Sequence, residues 1–167
     1  MRKRKIIILT DNFSTMKLDE IDKKILGYLQ HDAKITNKEL SAKLNLSVTA
    51  IYERVKKMER SGVISQYITL INKEIVGLGF QVFCHVKLEK HAKDAIDSFE
   101  KEVTALDEVL ECFHVSGDYD YLLKVLVRDM EHFRNFMVTK LTTLKYIGST
   151  QSSFTISEVK NTTTISV

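Results

Sequence analysis

The 167-residue chain has no proline, two cysteines and no long apolar run. Without proline, helix ends and domain boundaries must be found from capping residues and from changes in hydrophobic period. Two cysteines are too few for a disulfide-stabilised secreted scaffold, so we expect Cys84 and Cys112 to be buried thiols in a reducing cytoplasm. No apolar segment approaches the roughly 18 residues that a membrane helix needs. The sequence predicts a globular, cytoplasmic protein with no membrane partner.

Residues 1–16 form a basic N-terminal extension. Arg2–Lys5 is followed by the apolar run Ile6–Leu9. A secretion signal has an apolar region of about 7–15 residues, so we do not expect export. Two interpretations stay open. In the first, the segment is a disordered basic tail or results from an upstream start codon, with Met16 as the functional start. In the second, it is a basic arm that touches DNA phosphates.

Charge is distributed unevenly along the chain. Residues 1–62 hold 14 lysines and arginines against 8 acidic residues, whereas residues 63–167 hold 11 against 14. A basic N-terminal part beside a mildly acidic remainder indicates that the first part meets a polyanion. A solvated basic face would give the same imbalance.

Residues 17–62 have the apolar period of three helices. Asp19 is a candidate N-cap for the first helix. Thr36 and Glu39 have the spacing of a capping box at the start of the second. Ser47 caps a third helix after a very short break, and Gly62 suits the left-handed position that ends it. This pattern predicts a helix-turn-helix.

The third helix has an apolar face and a polar, basic face. A DNA-reading helix uses the N-terminal part of its outer face for base edges and the flanking basic residues for phosphates. The candidates for base contacts are Ser47, Thr49, Tyr52 and Glu53, and those for phosphate contacts are Arg54, Lys56, Lys57 and Arg60. The alternative is a three-helix bundle with a solvated basic face. The charge distribution and the following segment favour double-stranded DNA as the partner.

From residue 63 the apolar period changes to two, which is typical of strands. Residues 63–70 are predicted to form a short hairpin, the wing of a winged helix-turn-helix, and residues 75–79 a linker. The remainder has a β-α-β-β-α-β order, the ferredoxin-like arrangement. Its predicted elements are strands at 80–88, 109–116, 121–127 and 147–159 and helices at 92–106 and 130–144. The fold class is therefore α+β, with a DNA-binding domain at 17–76 and a second domain at 77–167.

A small four-stranded sheet with helices on one face leaves its other face needing cover. Alternating apolar residues over Phe80–Leu88 and Val109–Val115 indicate that another subunit provides it. The sequence predicts a homo-oligomer.

Two polar segments of the second domain are candidate ligand sites. In Gly117–Asp120, the glycine permits a tight turn, and Asp118 and Asp120 could receive an ammonium group. In 148–153, hydroxyl and backbone donors could hold a carboxylate. Taken alone, an acidic hairpin turn and a polar edge strand explain the same residues.

Catalytic and metal-binding motifs are missing. His85, Cys112 and His114 lack a second pair at zinc-like spacing. The sequence contains no nucleotide-binding glycine motif and no nucleophile–base set. We therefore expect no catalytic residues, no metal and no cofactor.

Several runs resemble the leucine-responsive/AsnC (feast/famine) family of regulators. They are Leu18–Leu26, Ser47–Glu59, Gly62–Ile64 and, most specifically, Glu111–Lys124. The resemblance extends from about Met16 to the C-terminus. It implies a winged helix-turn-helix and a ferredoxin-like, amino-acid-sensing domain that forms dimers, which assemble further into tetramers or octamers.

The resemblance also implies an effector pocket between dimers. The matching positions are Gly117, Asp118, Tyr119 and Asp120, with Asp120 the more sensitive carboxylate, and then Thr150, Ser152 and Ser153. Three positions depart from the family pattern. Val48 stands where the family usually has proline after the recognition-helix cap. Gln66 stands where it has glycine before the wing, and Lys145-Tyr146 stands where it has Pro-Gly before the last strand.

Two other functions remain open at this point. An architectural protein that bends DNA without effector control would share the same features. The fold also occurs in tetrapyrrole-modifying enzymes, for which His114 is the one suggestive residue.

Overall fold

A computed structural model describes residues 17–167; the interpretations of residues 1–16 lie outside this range. The chain divides into two compact units, one running up to Thr69 and including Thr162–Val167, the other Leu70–Asn161. The elements in chain order are α1 Glu20–His31, α2 Asn37–Leu44, α3 Val48–Arg60, β1 Phe80–Leu88, α4 Lys93–Val103, β2 Val109–His114, β3 Tyr121–Val127, α5 Met130–Thr139, a 3-10 turn Leu141–Thr143 and β4 Ile147–Phe154.

The helices of the first unit begin where the sequence predicts. Asp19 caps α1 by accepting the backbone N–H groups of Ile21 and Asp22. Thr36 and Glu39 form the predicted capping box of α2. Ser47 caps α3 through the N–H of Ala50. Each cap supplies a partner for an N–H group that the helix itself leaves unpaired.

Two of these helices end at or beside a residue in the left-handed conformation. Asn45 ends α2 with a φ of 54°, and Gly62 follows α3 with a φ of 79°. The short break at Asn45 lets α2 and α3 pack around one core, which consists of Ile25, Leu26, Leu40, Ile51, Val55 and Met58. The three-helix part of the prediction is confirmed.

The predicted hairpin over 63–70 is wrong in the structure. No strand lies in the described stretch between Arg60 and Phe80. Tyr67, Ile68 and Leu70 are all exposed. A two-residue period produces a strand only where a partner supplies ladder hydrogen bonds, and here the segment has none.

The C-terminal tail belongs to the first unit. The side-chain amide of Gln30 on α1 donates to the carbonyl of Ile165 at 3.1 Å. It also accepts the N–H of Ile165 at 2.8 Å. One glutamine side chain therefore satisfies both backbone groups of a tail residue, in the manner of a strand neighbour.

The second unit is an antiparallel sheet of order β2-β3-β1-β4 with α4 and α5 packed on one face. This is the predicted ferredoxin-like arrangement. The face toward the helices carries Val82, Cys84, Val86 and Leu88 of β1, as predicted, together with the odd-numbered residues of β3. The opposite face carries Phe83 and His85 of β1 beside Leu122 of β3 and Phe113 of β2.

Several elements end earlier than predicted. The second helix of this unit stops at Thr139 rather than 144. The hydroxyl of Thr142 donates to the carbonyl of Met137 at 2.8 Å, and that of Thr143 to the carbonyl of Lys140 at 2.7 Å. Such local bonds compete with helix hydrogen bonding. The last strand ends at Phe154, where its pairing with β1 ends.

Candidate DNA-binding face and effector loop

The outer face of α3 is exposed and basic. Tyr52, Glu53, Lys57 and Arg60 are exposed, while Ile51, Val55 and Met58 on the opposite face are buried. Ser47 and Thr49 are also exposed at the N-terminal end of the helix. The four side chains predicted to contact bases thus lie on the accessible part of α3 and its N-cap.

Two of the predicted phosphate contacts already have partners in the chain. Arg54 Nη1 donates to Asp19 Oδ2 at 2.7 Å and to Asp22 Oδ1 at 2.6 Å. Lys56 Nζ donates to Glu59 Oε2 at 2.7 Å, one turn along the same helix. Lys57 and Arg60 remain the exposed basic residues of this face. The role of Arg54 and Lys56 as phosphate contacts stays a prediction, and it requires these pairs to open.

Tyr67 anchors the segment that follows α3. Its hydroxyl donates to Glu59 Oε1 at 3.0 Å. Partial burial of its hydroxyl, and then the hydrogen bond to the Glu59 carboxylate, raise the pKa of Tyr67 to about 12. The extended segment is therefore attached to the C-terminal half of α3 without forming a wing hairpin.

The loop between β2 and β3 contains the predicted effector residues. Gly117 has a φ of 132°, a conformation that L side chains rarely adopt. The N–H of Asp120 donates to the carbonyl of Val86 at 2.9 Å, and its carbonyl accepts the N–H of Val115 at 2.8 Å. The loop is thus closed at its base and tied to β1.

The two carboxylates of the loop differ. Asp120 Oδ2 accepts the N–H of Leu88 at 2.7 Å, and Asp120 Oδ1 lies 2.8 Å from His91 Nε2. Burial acts to raise the pKa of Asp120, but these contacts outweigh it and the net shift is downward. Asp118 is exposed. No hydrogen bond or ion pair to Asp118 is seen among residues 17–167. The carboxylate available to a ligand is that of Asp118.

Tyr119 contacts two residues that were not predicted from the sequence as effector contacts. Its hydroxyl donates to Gln151 Oε1 at 2.6 Å, and its ring lies 5.2 Å from that of His85. The loop and β4 are therefore in direct contact, as the resemblance implies. The register of the sheet, which places His85 opposite Gln151, is the signal that could have identified both.

The predicted residues of β4 lie on two faces. Thr150 and Ser152 pair with Val86 and Cys84 on the helix-covered side, and Ser152 Oγ lies 3.8 Å from Cys84 Sγ. Ser153 pairs with Phe83 on the opposite side. The structure thus brings Gln151 directly to the loop and separates Ser153 from Thr150 and Ser152.

Tyr146, just before β4, has a φ of 70°. The resemblance implies a glycine at this position. A bulky residue there carries backbone strain of about 1–3 kcal/mol. The carbonyl of Tyr146 accepts the N–H of Glu89 at 2.8 Å, which fixes the turn at the entry to β4.

Two kinds of site are missing from the described part of the chain. In residues 17–167, no three or more His, Cys, Asp or Glu side chains are grouped so as to hold a metal ion. His114 stacks on Tyr121 instead, with ring centroids 4.7 Å apart. Within the same range, no helix is both long and apolar enough to cross a membrane.

Family models match both units. Residues 18–65 match a winged helix-turn-helix DNA-binding model, and residues 81–165 match the Lrp/AsnC ligand binding domain. The chain is 41% identical over 145 residues to the leucine-responsive regulatory protein of Haemophilus influenzae, an alignment that covers 87% of each protein. It is 40% identical to the protein of that name from Escherichia coli K12, covering 86% of this chain and 87% of the relative.

Solved structures agree. A Neisseria meningitidis transcriptional regulator in complex with L-methionine superposes with a TM-score of 0.85 at 39% identity, over 89% of this chain and 96% of the other. Escherichia coli AsnC gives a TM-score of 0.83 at 26% identity, over 89% and 99%. The fold and its two units define a DNA-binding transcription regulator with a ligand-binding domain. The chain belongs to the Lrp/AsnC family.

Proposed function

We propose that α3 lies in the major groove of double-stranded DNA. The observation that supports this is the exposed outer face of α3, opposite its fully buried Ile51. The residues that face base edges are Ser47, Thr49, Tyr52 and Glu53. The phosphate contacts are Lys57 and Arg60. Phosphate contacts set affinity and its salt dependence, and base contacts set discrimination between sites.

Lys57→Ala is expected to weaken binding to every DNA sequence and to reduce the salt slope of the logarithmic binding constant by about 0.9, the value for one phosphate contact.

Tyr52→Ala is expected to reduce the ratio of specific to random binding by roughly tenfold, similar to one mismatched base pair. Gel-shift titrations at several salt concentrations measure both. Equal loss on specific and random DNA in Tyr52→Ala would contradict its base-reading role.

We propose that the effector is an amino acid bound by the loop Gly117–Asp120 together with Gln151, the partner of Tyr119, and the hydroxyl of Ser153, which lies on the same sheet face as Gln151. Thr150 and Ser152 lie on the helix-covered side, and their role as effector contacts stays a prediction. A free amino acid is a zwitterion, so its site must offer an anion to the ammonium group and N–H or O–H donors to the carboxylate. The unpaired Asp118 offers the first and β4 the second. The complex of a similar regulator with L-methionine supports this ligand class.

A thermal-shift screen of the twenty amino acids, with L-methionine as the first probe, tests this proposal. A ligand that binds only the folded protein stabilises it by about 2.7 kcal/mol at 100 times its dissociation constant. At least one amino acid is expected to raise the melting temperature and to change affinity for DNA. Indifference to all twenty would support the architectural alternative, in which the protein bends DNA without effector control.

We also propose that the protein is a homo-oligomer that acts in the cytoplasm and carries out no catalysis. The names of similar proteins, a leucine-responsive regulatory protein and a transcriptional regulator, support the last point. The sheet face opposite the helices supports the first, because Phe113 is exposed there beside Leu122 and Phe83. Such a face is covered in stable proteins, and an identical subunit is the simplest cover.

Phe113→Asp is expected to lower the molar mass of the full-length protein in solution, because it places a charge in this apolar face. Val138→Asp is the matched control, since Val138 is 71% exposed on α5, away from the sheet. Light scattering at micromolar concentration measures the mass. A wild-type monomer, or equal masses for the two variants, would contradict the proposed interface.

A further inference from the structure

Arg54 connects the third helix of the DNA-binding unit to the first. The two carboxylates that it contacts also cap α1, and each divides its oxygens between the two tasks. Asp19 Oδ1 accepts the N–H groups of Ile21 and Asp22 at 2.9 and 2.8 Å, while its Oδ2 accepts Arg54. Asp22 Oδ2 accepts the N–H of Asp19 at 3.3 Å, while its Oδ1 accepts Arg54.

The burial of these groups makes the ion pairs between Arg54 and the two carboxylates costly to break. The side chain of Asp22 is 5% exposed and that of Arg54 is 31% exposed. Withdrawing Arg54 would leave the Asp22 carboxylate buried without its counter-charge, and an uncompensated buried charge is strongly unfavourable. The contact also spans 32 residues of sequence, so it fixes tertiary geometry rather than the local helix.

We infer that Arg54 is a positioning residue: it holds α3 at a fixed orientation against the N-terminus of α1 and thereby sets sequence discrimination, instead of contacting a DNA phosphate. This inference rests on the proposed role of α3 as the DNA-reading helix. Base contacts tolerate small displacements poorly because hydrogen bonds weaken steeply with angle, whereas phosphate attraction is long-ranged and tolerant. Loosening the orientation of α3 therefore affects specific binding more than random binding.

The test uses the full-length protein and two probes. One is a duplex that the wild-type protein enriches from a random-sequence library, and the other is a mixed-sequence duplex of the same length. Arg54→Gln removes the cation. Asp19→Asn removes one of the two carboxylates and so raises the net charge of the protein by one. Asparagine is as good an N-cap as aspartate, so α1 keeps its cap.

The two roles predict opposite results for Asp19→Asn. If Arg54 contacts a phosphate, releasing it from Asp19 should leave the affinity of the protein for each duplex unchanged or raise it. A positioning residue predicts weaker binding to the enriched duplex despite the added charge, with a roughly tenfold fall in the ratio of enriched to mixed-sequence affinity, the size of one mismatched base pair. Arg54→Gln is expected to lower the same ratio and to leave the salt slope on mixed-sequence DNA unchanged.

Two matched variants calibrate these readouts. Lys57→Gln removes an exposed charge from the same helix and shows the slope change of a phosphate contact. Glu20→Gln removes a largely exposed carboxylate from the first turn of α1, with its side chain 82% exposed, and is expected to leave the ratio unchanged. Circular dichroism and melting curves establish that each variant is folded at the binding temperature. If Arg54→Gln does not fold, Asp19→Asn carries the test.

The inference is overturned if Arg54→Gln loses affinity for both duplexes equally, which indicates a phosphate contact or a purely structural role. It is overturned as well if the ratio is unchanged in Asp19→Asn. Failure of the wild-type protein to enrich any sequence would overturn the proposed DNA-reading role itself, and is recognised before any variant is compared.

Discussion

Asp118→Asn is expected to weaken effector binding about ten- to a hundredfold, with little change in melting temperature. The substitution keeps the shape of the side chain and removes the charge that faces the ligand's ammonium group. A charge-assisted contact of this kind contributes about 1.5–3 kcal/mol. Calorimetry with the amino acid found in the screen measures the affinity. Because Asp118 is exposed, its loss leaves the rest of the loop in place.

Asp120→Asn is the matched comparison. The resemblance implies that Asp120 is the more sensitive position, but both of its oxygens already have partners, Leu88 N–H and His91. We therefore expect Asp120→Asn to lower the melting temperature. We also expect it to reduce the affinity for the effector less than Asp118→Asn does. Both variants should bind DNA normally without effector, since the coupling between sites acts only when both ligands are present.

The stability difference has a defined pH dependence. The pKa of Asp120 is lowered in the folded protein, so its charge stabilises the fold above the ordinary aspartate pKa of about 3.9 and this contribution is lost as the pH falls through the lowered value. The difference in melting temperature between the wild type and Asp120→Asn should shrink below about pH 4.

Unchanged effector affinity in Asp118→Asn would remove that residue from the site. A larger loss of effector affinity in Asp120→Asn than in Asp118→Asn would restore the role that the resemblance implies.

Ile51→Ala is expected to abolish DNA binding while leaving effector binding intact. Ile51 is fully buried among the few core residues of the first unit. Removing a buried isoleucine side chain costs about 2–5 kcal/mol. For a unit this small the loss is comparable with its whole stability. The second unit has a separate core, so its ligand site should survive.

Gel shifts on specific and random DNA, with effector calorimetry on the same preparation, measure this separation. Val48→Ala is the control, because Val48 lies on the same helix but is exposed. Loss of both activities in Ile51→Ala would show that the two units do not fold independently. Retained DNA binding would show that the first unit is far more stable than its core indicates.

The local signals in the sequence predicted most of the fold. Caps at Asp19, Thr36 and Ser47 were identified correctly because capping depends on residues within one turn of each other. The buried face of β1 was also correct, since a two-residue period with apolar residues on one side needs no knowledge of the partner strand. The order of elements then leaves the ferredoxin-like sheet as the simplest arrangement.

Features that depend on distant residues were not predicted. Arg54 looked like any exposed basic residue of α3, and only the tertiary structure shows that Asp19 and Asp22 lie against it. Gln151 was overlooked because its contact with Tyr119 depends on the register of β4. The wing hairpin failed for the related reason that alternation alone supplies no pairing partner.

The pairing of Gln30 with Ile165 has a consequence for biosynthesis. The first unit is assembled from two segments that are separated in sequence by Leu70–Asn161. On the ribosome its three helices emerge before Leu70–Asn161, whereas the segment Thr162–Val167 that pairs with them emerges after it. Completion of the DNA-binding unit therefore has to wait until the effector domain has been synthesised.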